Sequence, residues 1–132
     1  MAGYLHPRDT VLERLLIVED EEILRKHLVR LFVREGFDVA AAGTCAEATR
    51  ELSGARFRAL ILDVRLPDGD GLDLLAELGH DRWPAVTVAI TAWTTPENEL
   101  RAARLGVDRL LRKPIDLRQL VNVVRGGTPP GI

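Results

Sequence analysis

At 132 residues the chain has the length of one domain with one proper core and is too short for two ordinary ones. It is 46% hydrophobic and 29% charged, and its net charge of -2 gives no reason to expect nucleic-acid binding by charge alone. The single cysteine, Cys45, excludes an internal disulfide and fits a reducing cytoplasm, and no apolar run is long enough to span a bilayer.

Residues 1–13 read as an extension, without the apolar segment of a signal peptide. Leu15-Leu16-Ile17-Val18 is a continuous apolar run that fits a strand buried on both faces, and it ends in two acids, Glu19 and Asp20. Glu21 to Glu35 reads as a helix: Leu24, Leu28, Leu31 and Phe32 share one face, and Gly36 follows as a stop. Phe37 to Ala42 is a weaker, Ala-rich strand, expected at a sheet edge. Thr44-Cys45-Ala46-Glu47 has capping-box spacing and opens a helix that Gly54 is expected to end.

Ala59-Leu60-Ile61-Leu62 repeats the first pattern, closing on Asp63 and running into the turn-rich Pro67-Asp68-Gly69-Asp70-Gly71. Leu72, Leu74, Leu75 and Leu78 mark a short helix before Gly79. Ala85 to Ile90 is a fourth strand closing on Thr91, and Thr95-Pro96-Glu97 supplies an N-cap and a first-turn proline for a helix to about Leu105. Leu110-Leu111 is a fifth strand, closing on Arg112-Lys113-Pro114. Asp116 caps the last helix, with Leu117, Leu120, Val121 and Val124 on its apolar side, and 126–132 reads as a flexible tail or truncated linker. Strands alternating with helices predict an α/β fold with a parallel sheet, helices on both faces and right-handed crossovers. Periodicity leaves the strand order open.

The chemistry-bearing residues stand at strand tips: Glu19 and Asp20, Asp63, Thr91, Lys113. In a parallel sheet these tips share one edge, where ligands bind. Three carboxylates together need a cation, and an all-oxygen set suits magnesium. A carboxylate is also a competent nucleophile toward a phosphoryl group, whose charge Mg2+ and Lys113 would neutralise while Thr91 donates a hydrogen bond.

Taken together, Val18-Glu19-Asp20, Leu62-Asp63-Val64-Arg65-Leu66-Pro67 with Asp70-Gly71, Ile90-Thr91-Ala92 and Lys113-Pro114 resemble the response-regulator receiver domain of two-component signalling, a CheY-like family. The likeness runs from about Leu15 to Arg125, within a receiver unit read as 14–125. It implies a flavodoxin-like five-stranded sheet of order 2-1-3-4-5 and a signalling switch rather than an enzyme. It further implies that Asp63 takes a phosphoryl group from a histidine kinase or histidine-phosphotransfer protein. Asp20, Asp63 and the Arg65 backbone carbonyl would bind Mg2+ directly, and Glu19 mainly through water. Thr91 would follow the phosphoryl group, Lys113 would pair with its oxygens, and the Lys113-Pro114 bond would be cis. Other implied features are a cytoplasmic location, an output partner or missing output domain, and a phosphorylation-dependent dimer, with neither membrane nor direct nucleic-acid binding.

Leu110 departs from the family pattern, which has Tyr or Phe three residues before the lysine. It motivates an alternative, a receiver-like interaction module that works without phosphorylation. A hydrolase of haloacid-dehalogenase type ranks last, because Arg65 stands where its second aspartate belongs. Asp68-Gly69-Asp70-Gly71 reads as a turn rather than a calcium loop, Cys45 as a small structural residue, and Trp83-Pro84 as packing.

Overall fold

A computed structural model describes residues 11–126. Of the extension expected over 1–13 and the tail expected over 126–132, residues 1–10 and 127–132 lie outside the described residues. The main sheet is built from β1 (Arg14–Val18), β2 (Asp38–Ala42), β3 (Ala59–Asp63), β4 (Val86–Thr91) and β5 (Arg109–Arg112). All its pairings are parallel, and their order is β2-β1-β3-β4-β5, as the family resemblance implied. The helices between and after them are α1 (Glu22–Arg34), α2 (Cys45–Gly54), α3 (Gly71–Leu78), α4 (Pro96–Leu105) and α5 (Leu117–Val124).

The two continuous apolar runs are central strands because both of their faces are covered. Leu15, Ile17, Ala59 and Ile61 pack with Leu28 and Phe32 of α1 and Leu120 of α5. Their alternates Leu16, Val18, Leu60 and Leu62 pack with Ala48 and Leu52 of α2, Leu72 and Leu75 of α3 and Ala102 of α4. A strand sends successive side chains to opposite faces, so an unbroken apolar run requires a helical layer on each. Each fully buried aliphatic side chain contributes about 1.5–3 kcal/mol. The Ala-rich β2 sits at the sheet edge and is only partly buried.

Local chemistry sets most helix ends. Thr44, Asp70, Thr95 and Asp116 each accept a backbone N–H in the first turn of α2, α3, α4 and α5. Gly106 ends α4 in the left-handed region at φ 94°, where its lack of Cβ removes the steric penalty. Gly54 differs from expectation: it is the last residue of α2, and the extended Ala55 ends the helix. A two-residue hairpin, Arg65–Leu66 with Gly69–Asp70, and a 3-10 turn at His80–Arg82 fall outside the periodicity reading. Both are too short to show a period. Trp83 packs against the core as expected, donating Nε1–H to the Leu75 carbonyl at 3.1 Å and stacking on His80.

Candidate functional site

Three strands deliver the acids and the lysine to one rim. Glu19 follows β1 and is anchored by its N–H to the Ala42 carbonyl at 3.0 Å. Asp63 ends β3 in register with Ile90, whose carbonyl accepts the Val64 N–H at 2.9 Å. Lys113 follows β5, and its N–H donates to the Thr91 carbonyl at 2.8 Å. The Lys113-Pro114 peptide is cis. Parallel register therefore converts strand-tip positions separated by tens of residues into neighbours.

The side chains converge. Lys113 Nζ lies 2.6 Å from Glu19 Oε1 and 2.8 Å from Asp63 Oδ2. One carboxylate oxygen from each of Glu19, Asp20 and Asp63 lies within 4.8 Å of the other two. Asp63 Oδ1 accepts the Arg65 N–H at 3.0 Å, and Glu19 Oε2 accepts the Glu21 N–H at 3.2 Å. Glu19 is fully buried and Asp63 is 3% exposed, but Asp20, Glu21 and Arg65 are exposed around them. The cluster is thus a recess open at the rim.

The electrostatics are those of an under-neutralised site. Burial, then the neighbouring Asp63, pushes the Glu19 carboxyl up to about 7, against the pull of Lys113. Burial by itself would lower the Lys113 pKa, but Asp63 and Glu19 outweigh it and hold the ammonium above its ordinary value. Glu19 Oε1 and Asp63 Oδ2 share the one ammonium, at 2.6 Å and 2.8 Å from Lys113 Nζ. Three carboxylates around that single ammonium make an all-oxygen set with surplus negative charge, which fits a hard divalent cation such as Mg2+.

Thr91 is positioned differently from its neighbours. Its buried hydroxyl donates to the Trp93 carbonyl at 2.7 Å and accepts the Trp93 N–H at 3.2 Å. Trp93 itself is 68% exposed. Residue-type reasoning missed Glu21, whose Oε2 lies 3.3 Å from Lys113 Nζ; its place one residue past the acid pair was the available signal. It also missed Asp68, which caps α2 from a distance by accepting the Cys45 N–H at 2.7 Å and the Ala46 N–H at 3.0 Å. Those bonds hold the Asp68 carboxyl below its usual range. Burial, with Asp68 beside it, pushes the Cys45 thiol up to about 11, in keeping with a structural rather than a reactive cysteine. A surface cleft of about 630 Å³ between α2 and α3 contains none of the acid-cluster residues.

Comparison with known proteins agrees with this geometry. The family model of the response regulator receiver domain matches residues 15–125. The chain is 34% identical over 112 residues to the transcriptional regulatory protein PmrA of Pectobacterium parmentieri, covering 85% of this chain and 50% of that protein. It thus spans about half the length of that curated relative. A CheY-like receiver domain protein from Methanospirillum hungatei superposes with a TM-score of 0.82 at 26% identity, covering 88% of this chain and 93% of the other. A response regulator from Burkholderia pseudomallei, solved with a phosphorylated aspartic acid, a calcium ion and citrate, gives a TM-score of 0.78 at 25% identity over 85% of this chain and 66% of the other. With its CheY-like fold and its acid cluster at the sheet rim, this chain belongs to the response-regulator receiver family of two-component systems.

Proposed function

We propose that the chain accepts a phosphoryl group on Asp63 from a histidine kinase or histidine-phosphotransfer protein, and that this switches a partner-binding surface. The observation that carries the reading is the pairing of Asp63 Oδ2 with Lys113 Nζ at 2.8 Å inside the three-acid cluster. An Asp63 carboxylate oxygen attacks phosphorus, the P–N bond of the donor phosphohistidine breaks, and the imidazole leaves with its nitrogen pair and takes up a proton. Glu19, Asp20, Asp63 and the Arg65 carbonyl would hold Mg2+, which supplies charge neutralisation to the transferring group. Lys113 keeps its proton throughout and pairs with the phosphoryl oxygens as Asp63 gives up its own negative charge. Thr91 engages the group once its hydroxyl releases the Trp93 carbonyl, and this links the site to the loop before α4.

The kinase side, an output partner and a cytoplasmic setting belong to the same reading, as does a receiver unit over 14–125. The phosphorylated aspartic acid in the Burkholderia pseudomallei relative supports it by analogy. Incubation with Mg2+ and acetyl phosphate is expected to add one phosphoryl to the intact mass, and Asp63→Asn is expected to add none. No gain with any donor would sink the reading. The alternative, a phosphorylation-independent module, draws on Leu110, half-buried on β5 where the family has an aromatic. A beryllofluoride titration separates the two: a silent response in melting temperature and Trp fluorescence favours the module.

A further inference from the structure

The turn that presents Glu19 and Asp20 is not secured by a helix cap. Glu21, the N-cap of α1, makes no side-chain bond to the first turn. Arg25, half-buried one turn into α1, reaches back instead. Its Nη1 donates to the Glu19 carbonyl at 2.9 Å and lies 3.3 Å from the Asp20 carbonyl as a second acceptor. One nitrogen, with two N–H groups, therefore ties together consecutive peptide carbonyls behind the acid pair. The loop after β2 passes beside the guanidinium: a Cβ built on Gly43 would stand 3.3 Å from Nη1. Gly43 is in turn held by its N–H to Glu47 Oε1 at 3.3 Å.

We propose that Arg25 is a positioning residue for the divalent cation, fixing the peptide planes of residues 19 and 20 so that both carboxylates face Asp63. The inference rests on the proposed cation site. Carboxylates that repel one another relax apart unless their backbone is held, and Asp20, being exposed, has room to swing toward water. Arg25 touches neither cation nor phosphoryl group in this scheme. It acts through the two carbonyls.

The test is an NMR titration of the whole chain with MgCl2, following the backbone amides around residues 19–21 and 63–65, on the parent, Arg25→Ala, Arg25→Lys and Arg82→Ala. Arg82 is the control because it makes a comparable backbone clamp elsewhere, donating to the Leu52 carbonyl at 3.0 Å and lying 3.4 Å from that of Ser53. Arg25→Ala is expected to weaken Mg2+ binding by about tenfold or more, the usual effect of losing a partner that orients metal ligands. Arg25→Lys, which keeps a multi-donor cation on a shorter stem, is expected to recover part of it, and Arg82→Ala to match the parent. Arg25→Ala binding within about twofold of the parent overturns the proposal, since that is well short of such an effect. An equal loss in Arg82→Ala also overturns it, by tracing the effect to general destabilisation. A parent chain that binds no Mg2+ instead removes the cation site itself, and the proposal with it.

Discussion

Gly71 stands so close to Asp63 that a Cβ on it would collide with the Asp63 carbonyl oxygen. Its N–H donates to the Val64 carbonyl at 2.7 Å, so the start of α3 is laid directly on the end of β3. Replacing a helical glycine by alanine ordinarily stabilises by about 0.4–1 kcal/mol through the unfolded chain. Here the obstacle is the backbone of a buried central strand, and overpacking of that kind costs about 1–3 kcal/mol. The clash wins. Gly71→Ala is expected to lower stability by about 2 kcal/mol in urea unfolding with an unchanged m value. A rise in stability would show that the contact is not confining.

Removing the ammonium leaves Glu19 and Asp63 facing each other in a recess. Breaking a fully buried pair costs about 3–5 kcal/mol. Lys113 keeps 16% of its side chain exposed, so the discounted expectation for Lys113→Met without Mg2+ is about 2 kcal/mol. Added Mg2+ should restore most of that loss while phosphoryl uptake from acetyl phosphate stays slow. Thermal melts with and without Mg2+, paired with intact mass, separate the two effects. A Lys113→Met chain as stable as the parent in EDTA would contradict the pairing.

The Glu19 carboxyl has a definite consequence for pH. Its value rises from 4.5 in the unfolded chain to about 7 in the fold. Between those limits the native state holds a proton that the unfolded chain has released, so stability without metal falls as pH rises through that window. One proton limits the slope to about 1.4 kcal/mol per pH unit. Lys113 acts elsewhere on the scale: its contribution is whole below 10.5 and is lost only at strongly alkaline pH. A cation requires Glu19 ionised, so Mg2+ should raise the melting temperature more at about pH 8 than at about pH 5.5. Equal Mg2+ effects at both would show that Glu19 is not part of the cation site.

Arg101 of α4 pairs with Asp73 and lies 3.5 Å from Asp70, the carboxylate that caps α3. The pair is well exposed, so Arg101→Ala should cost no more than about 1 kcal/mol. Its larger effect is expected on local opening, with faster amide hydrogen exchange in α4 and little change in β3. Unchanged exchange in α4 would show that the α3–α4 packing holds without this contact.

Sequence patterning carried the frame of the molecule. Leu15–Val18 and Ala59–Leu62 announce central strands because only a strand covered on both faces tolerates an unbroken apolar run. Thr44, Thr95 and Asp116 announce helix starts because capping is a contact within a few residues. Gly54 misled because glycine permits a stop without enforcing one, and α2 ran through it to an extended Ala55.

Residue order by itself determined the α/β class, the strand tips and the identity of Glu19, Asp20, Asp63, Thr91 and Lys113 as tip residues, since each depends on local periodicity or on type at a fixed place. Only the folded chain decided that Arg25 turns back on the acid-bearing carbonyls, that Asp68 caps a helix 22 and 23 residues away, that Glu21 meets Lys113 across 92 residues, and that the Thr91 hydroxyl is tied to Trp93. The Asp68 and Glu21 contacts are long-range and follow from how the folded elements come together, while the Arg25 and Thr91 contacts are local and follow from side-chain direction, which residue type and spacing leave open.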